Sequence, residues 1–271
     1  MLKKNIIRIL ASISVVLLMT NTTFAEVIEV SFVYVGKSDH SALLGAQQGI
    51  EEANLQGQFL NQKYNLEVIS PSDIATFDFS NYIAVLTAVD IDTFTLLSEK
   101  LPNVPVFNLT IDDDNLRTSC IKNALNVIPS KQMKQDAIKQ WLKKTPESHA
   151  TAHAWHPDFV KFAARDLNKR FKKTHNVEMD DFSWAGWAAV KMTSDTVART
   201  NFTDQTKILD YLKTKLLFDG QKGSDMNFRE TGQLRQPILL VEDKKIVAEA
   251  PIRGIAKPPT LDSLGALSCK K

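Results

Sequence analysis

The sequence predicts an α/β protein built on a parallel sheet, and three features carry that prediction. Mostly apolar, β-branched runs recur through the first half of the chain. Helix-periodic segments follow the first and third of these runs, and Gly, Pro or Asp punctuates the passage between segments. Strand–helix alternation of this kind belongs to parallel sheets with right-handed crossovers.

The elements read in order as follows. Val27 to Val35 is a nearly continuous apolar run ending at Gly36, the pattern of a strand covered on both faces. Beyond a polar loop from Lys37 to Ser41, Leu43, Ala46, Ile50 and Ala53 recur at helical spacing, with Gly57 expected to stop that helix. Leu66 to Ile69 forms a second strand ended by Pro71, and Tyr82 to Val89 a third. Asp90 can cap a helix carrying Ile91, Phe94, Leu97 and Leu101, and Val104 to Leu109 is a fourth strand. The second half is mainly helical. Ser130 caps a helix with Met133, Ala137 and Trp141 on one face, and Phe159, Ala163, Leu167 and Phe171 mark another. Phe182 to Ala198 is apolar on most sides and predicts a buried helix, and Ile208, Leu212 and Leu216 predict one ended near Gly220. Ile238–Val241 and Lys245–Ala248 read as a hairpin across Glu242-Asp243-Lys244, and Pro251, Pro258 and Pro259 make the tail irregular.

Export is expected. Lys3, Lys4 and Arg8 precede a short apolar run from Ile9 to Met19, and Thr23-Phe24-Ala25 places small residues before a cut ahead of Glu26. This is the order of a secretory signal peptide, residues 1–25, and the run is too short for a bilayer-spanning anchor. The mature protein is thus expected in the periplasm, without a membrane anchor. A net charge of +2, from 33 basic and 31 acidic residues, gives no electrostatic case for nucleic acid. The two cysteines, Cys120 and Cys269, are an even count in an oxidising compartment and can be a bridge or two free thiols.

Catalytic signals are missing: the chain has no glycine-rich phosphate loop, no G-x-S-x-G elbow and no H-E-x-x-H. A binding protein is expected rather than an enzyme, with no cofactor and no metal. His149, His153 and His156 would face one way on a helix and could hold zinc or copper, but Pro146 and Pro157 leave little room for one. Asp112-Asp113-Asp114-Asn115 lacks the spacing of a calcium loop and reads as a solvated turn. Ligands of parallel α/β sheets gather outside the carboxyl ends of the strands. The polar or aromatic groups nearest those ends are Tyr34, His40, Asp90, Thr110 and Asp112. For each of them, capping or turn chemistry is the competing reading.

Tyr34-Val35-Gly36 followed by Ala42-Leu43-Leu44-Gly45-Ala46-Gln47-Gln48-Gly49-Ile50-Glu51-Glu52-Ala53-Asn54 resembles the opening of type I periplasmic substrate-binding proteins, the leucine/branched-chain amino-acid-binding type of ABC transporters. Trp184-Ala185-Gly186-Trp187-Ala188-Ala189-Val190 resembles their hinge-side helix. The stretch from Phe218-Asp219-Gly220 to Gly232-Gln233 resembles their late glycine-containing segment. Asp112 to Cys120, Ala154-Trp155-His156-Pro157 and Gly232 to Leu240 resemble the subgroup associated with PQQ-dependent alcohol catabolism.

The resemblance implies a Rossmann-like lobe, a small-molecule ligand, and an ABC permease or a PQQ-dependent dehydrogenase as partner. It adds Trp155 and Trp184 to the ligand-binding candidates. Thr110 or backbone amides would meet a ligand carboxylate, and Asp90 or Asp112 an ammonium. Family members have two lobes, yet here the interval that would hold most of the second is only Lys143 to Ala154. Residues 26–142 and 176–230 are therefore expected to build the first lobe, 143–175 and 231–250 a reduced second lobe, and 251–271 a tail. Such a reduction is expected to expose apolar hinge surface at Trp184 and Trp187. A periplasmic interaction module without transport is the alternative function.

Overall fold

The computed structural model describes residues 27–269. The expected leader, residues 1–25, and its cut ahead of Glu26 lie outside the described residues.

Five parallel strands form the main sheet: β1 (Ile28–Gly36), β2 (Gln62–Ile69), β3 (Tyr82–Ala88), β4 (Val106–Asn108) and β5 (Ala124–Asn126), in the order β2-β1-β3-β4-β5. Side chains on a strand alternate between faces, so each central strand feeds two cores. Phe32 and Tyr34 of β1, Leu86 of β3 and Phe107 of β4 point to one side. Val33 and Val35, Val85, and Val106 point to the other. The first side is covered by α1 (Ser41–Leu60) and α6 (Asp181–Thr200), and the second by α2 (Ile91–Lys100), which contributes Phe94 and Leu97. A second sheet is antiparallel, in the order β6-β7-β8, from β6 (Thr151–His153), β7 (Ile238–Glu242) and β8 (Lys245–Ala250). The expected hairpin is there, turned by Asp243 and Lys244 with both backbones left-handed.

Helices α3 (Asp114–Thr118), α4 (Lys131–Leu142), α5 (Ala164–His175) and α7 (Gln205–Thr214) complete the chain. Met133 and Ala137 of α4 share a core with Ile238 and Leu240 of the small sheet. Leu167 and Phe171 of α5 lie in the core of α1 and α6. A lobe boundary at 142/143 would thus separate α4 from the sheet it covers.

The tightest contact is between α1 and α6. A Cβ on Gly45 would lie 1.8 Å from the Ser183 carbonyl oxygen, and one on Gly186 would lie 2.1 Å from that of Ala42. The two helices touch backbone to backbone, which only glycine permits at both positions.

Several sequence expectations change. Gly57 does not stop α1; the helix continues to Leu60 and ends on Asn61 in the left-handed region. Gly57 instead lets the helix approach β2, where a Cβ would stand 2.3 Å from the Gln62 carbonyl oxygen. β2 begins at Gln62, four residues early, because the Asn54 side chain brackets Tyr64, accepting from its N–H and donating to its carbonyl at 2.8 Å each. α5 starts only at Ala164, since Phe159 is spent packing edge-on against Trp155 and Phe162 adopts a positive φ. β5, β6 and α3 were not read from the sequence; at three to five residues they carry no periodicity.

Buried polar groups join the two sheets. Gln233 pairs beside Asn126, extending the main sheet past β5 just before the chain enters β7. Arg117, fully buried, donates to the Gln233 side chain at 2.9 Å and to the carbonyls of Asp113 (2.9 Å) and Ile128 (3.0 Å). Lys222, also buried, donates to Gln236 Oε1 at 2.8 Å and the Pro237 carbonyl at 3.2 Å, with its ammonium 3.9 Å above the Trp184 ring. Cys120 and Cys269 form a disulfide across a Cα separation of 5.7 Å, and Arg229 donates to the carbonyls of Leu261 and Leu264, so the tail is fixed to the body twice.

Gly→Ala in a helix ordinarily stabilises by about 1 kcal/mol, but Gly45→Ala must force α1 from α6. A net loss of about 2 kcal/mol or more is expected in urea unfolding. Burial pulls the Lys222 amine from its ordinary 10.5 down to about 7. The unfolded chain therefore binds the extra proton between about pH 7 and 10.5, and stability rises with pH across that window. Lys222→Met should reduce that slope by about one proton in unfolding measured from pH 7 to 10.

Candidate functional site

The carboxyl ends of β1, β3 and β4 face the loops that begin α1, α2 and α3, and the structure shows how each expected residue is used. His40 is the N-cap of α1, its Nδ1 accepting from the Ala42 N–H at 3.1 Å. Asp90 caps α2 through the Thr93 amide and hydroxyl, both at 2.9 Å, and these bonds hold its carboxyl below the ordinary range. Asp112 pairs with Lys134 at 3.1 Å, and its carbonyl accepts from the Lys131 N–H, so it anchors the start of α4. Thr110 lies in a turn held by Asn108, whose Oδ1 accepts from the amides of Thr110 (3.1 Å) and Ile111 (2.8 Å). Those two amides are therefore already engaged.

Tyr34 is different. Its side chain is 0 % exposed, and its hydroxyl has no hydrogen-bond partner among the described residues. A Cβ on Gly36 would lie 3.0 Å from that hydroxyl and 2.9 Å from the Ala88 carbonyl oxygen, which places the phenol oxygen at the joined ends of β1 and β3. A buried hydroxyl without a partner is costly, on the order of 1–3 kcal/mol. Burial, reinforced by the charge of Asp39, pushes its pKa well above the ordinary phenol value, so it remains a donor. The Nδ2 of Asn126, at the end of β5, is likewise buried and unpartnered.

Trp155 and Trp184 are not surface groups. They stack at 5.9 Å with planes 10° apart; Trp155 donates to Asn168 at 2.8 Å and Trp184 to the Gly220 carbonyl at 3.1 Å. Trp187 is buried as well and donates to Glu52 at 2.9 Å. The expected exposed hinge surface does not exist, because α5 and the 218–226 segment cover it: Leu167, Phe171, Phe218 and Met226 belong to the same core.

The histidines do not share a helix. His153 lies on β6 and His149 precedes it, while His156 is in the following turn. His153 Nδ1 meets Asp181 Oδ2 at 3.2 Å, and the other oxygen of Asp181 accepts from the Trp155 N–H at 2.7 Å. Among the described residues, no group of three or more His, Cys, Asp or Glu is placed to hold a metal ion. Sequence reasoning missed Asp181 as a joint between β6 and the start of α6. The Asp180–Ser183 capping box was its only local signal.

No protein-family model matches the chain, and no curated protein matches it in sequence. Solved structures match its fold. An amino acid ABC transporter substrate-binding protein from Pseudomonas fluorescens Pf-5 superposes with a TM-score of 0.69 at 9% identity, covering 91% of this chain and 100% of its own. The branched-chain amino-acid transporter substrate-binding protein LivJ of Streptococcus pneumoniae, solved with isoleucine, gives 0.62 at 10% identity, covering 83% and 99%. A branched-chain amino-acid ABC transporter periplasmic ligand-binding protein from Burkholderia xenovorans gives 0.58 at 13% identity, covering 82% and 95%. Among the described residues, no helix is long and apolar enough to cross a membrane. With its parallel sheet, covering helices and second small sheet, the chain has the type I periplasmic binding protein fold.

Proposed function

We propose that the protein is the periplasmic solute-binding component of an ABC-type uptake system, exported by its leader and taking a small amino-acid-like ligand at the carboxyl ends of β1 and β3. The observation that carries this reading is the buried, unpartnered and protonated Tyr34 hydroxyl at that position. It is a ready donor to a ligand carboxylate or carbonyl, and an occupied site would offset the cost of its burial. Asp39, close enough to act on the phenol's charge, is the acidic group best suited to a ligand ammonium. Asp90 and Asp112 are committed to Thr93 and Lys134. The solved structures with this fold named above support a binding role rather than an enzymatic one.

The resemblance to the subgroup of PQQ-dependent alcohol catabolism extends this reading. The ligand or the cellular role is tied to alcohol oxidation, and an ABC permease is the transport partner. In this reading residues 143–175 and 231–250, which hold β6, α5, β7 and β8, stand for a reduced second lobe. A second reading rests on the size of the β6-β7-β8 sheet: with three short strands it offers little surface to enclose a ligand. The chain would then serve a PQQ-dependent dehydrogenase as an interaction module without transport.

A thermal-shift screen against amino acids, alcohols, short acids and PQQ separates the two readings. Selective stabilisation that grows with ligand concentration supports transport, and a cooperative transition unmoved by every compound supports the module. Tyr34→Phe is expected to weaken the selected ligand about tenfold while leaving the ligand-free chain as stable or about 1 kcal/mol more so, since it removes an unpaired buried group. Unchanged affinity in that variant would remove Tyr34 from the site.

A further inference from the structure

We propose that β8 is a self-complementary edge through which two copies of this chain pair antiparallel into one continuous six-stranded sheet. β8 is the outer strand of the β6-β7-β8 sheet and pairs only with β7 among the described residues. Its outer side opens onto a hollow of about 480 Å3 bounded by Asp158–Lys161 on one wall and Ile246–Glu249 on the other. Apolar side chains of its lining are exposed: Val247 at 38 % and Val160 at 49 %. An open strand edge flanked by apolar groups is a template for another strand, and proteins that stay monomeric usually blunt it.

The strand's own charges select the occupant. Within β8, Lys245-Ile246-Val247-Ala248-Glu249 is basic at its first residue, acidic at its last and apolar between, with Ala250 following. When two such strands pair antiparallel about a two-fold axis at Val247, Lys245 of each copy stands opposite Glu249 of the other, and Ile246 opposite Ala248. Opposite charges directly across strands stabilise a pair and like charges destabilise it. A two-fold interface uses the same patch twice, so both ion pairs form at once. Parallel pairing in register would set Lys245 against Lys245 and Glu249 against Glu249. Lys161, which already bonds Glu249 across the hollow, leaves that carboxylate shared between two lysines in the pair. Val247 has no register partner on β7, where the ladder passes from Ala248 to Ile246 in a bulge, so the pairing of two copies has to accommodate a local twist at its centre.

The test is a charge-swap series read by light scattering across a concentration range, with circular dichroism as the check on folding. The purified chain is expected to shift to twice its monomer mass as concentration rises. Lys245→Glu alone and Glu249→Lys alone each turn both ion pairs repulsive and are expected to raise the dimer dissociation constant about tenfold or more. The double variant Lys245→Glu/Glu249→Lys restores opposite charges between the copies and is expected to dimerise more tightly than either single variant, though short of the unaltered chain because Lys161 then faces a like charge. A monomer up to millimolar concentration overturns the proposal. So does a dimer that both single variants leave unchanged, since it must use another face. Recovery in the double variant also separates lost pairing from lost folding, because both substitutions are then present together.

Discussion

The backbone contact of α1 with α6 is the constraint on which the rest depends. Gly45 and Gly186 remove the side chains that would hold these helices apart, and both helices then lie flat on one face of the sheet. That proximity sets α6 where its first turn can serve both sheets. Asp180 accepts from Ser41 at the start of α1, and Asp181 accepts from Trp155 and meets His153 at the end of β6. A helix pair spaced by ordinary side chains, 8–10 Å between axes, would carry these carboxylates away from one partner or the other. Packing in the main core therefore fixes where the small sheet begins.

Buried polar groups, beside apolar ones such as Leu234 and Leu239, hold the passage between the main sheet and the small one. Arg117, Gln233, Gln236 and Lys222 are all buried, and each bonds backbone carbonyls or another of the four. The reason is geometric. Where a chain leaves one sheet for another, its carbonyls lose their ladder partners and must be satisfied by side chains. Arginine and lysine supply several donors each, and their desolvation is offset here by carbonyls, by the amides of Gln233 and Gln236, and for Lys222 by the indole face of Trp184. Such a network specifies one relative position of the two sheets more sharply than an apolar contact would.

Much of the main sheet was legible in the sequence because its strands are long enough to show a continuous apolar run. β1 and β3, and the helices α1, α2, α4, α6 and α7, follow from periodicity and caps. The short elements β5, β6 and α3 did not, since three to five residues hold no period and their place is set by pairing with distant segments, as Asn126 beside Gln233 shows. Gly57 illustrates a different failure. A glycine near the end of a helical pattern signals a stop, but here it records a close approach to β2 that only the tertiary fold creates. The tryptophans were misplaced for the same reason: Trp184 and Trp187 are covered by segments more than a dozen residues away.

The candidate site separates what topology predicts from what chemistry leaves available. Position outside the strand ends was inferred for Tyr34, His40, Asp90, Thr110 and Asp112 alike, yet helix starts and turns need partners of their own. His40, Asp90 and Asp112 are spent on those starts, and the amide of Thr110 is taken by Asn108. Short polar side chains at loop–helix joints satisfy the first free amides of a helix before anything else can compete. Tyr34 escapes this because it is set inside the strand and faces the core, where no helix amide needs it. Its hydroxyl is left over after the local bonds are made, at the meeting of β1 and β3, and is one of the buried groups whose desolvation an outside partner would offset.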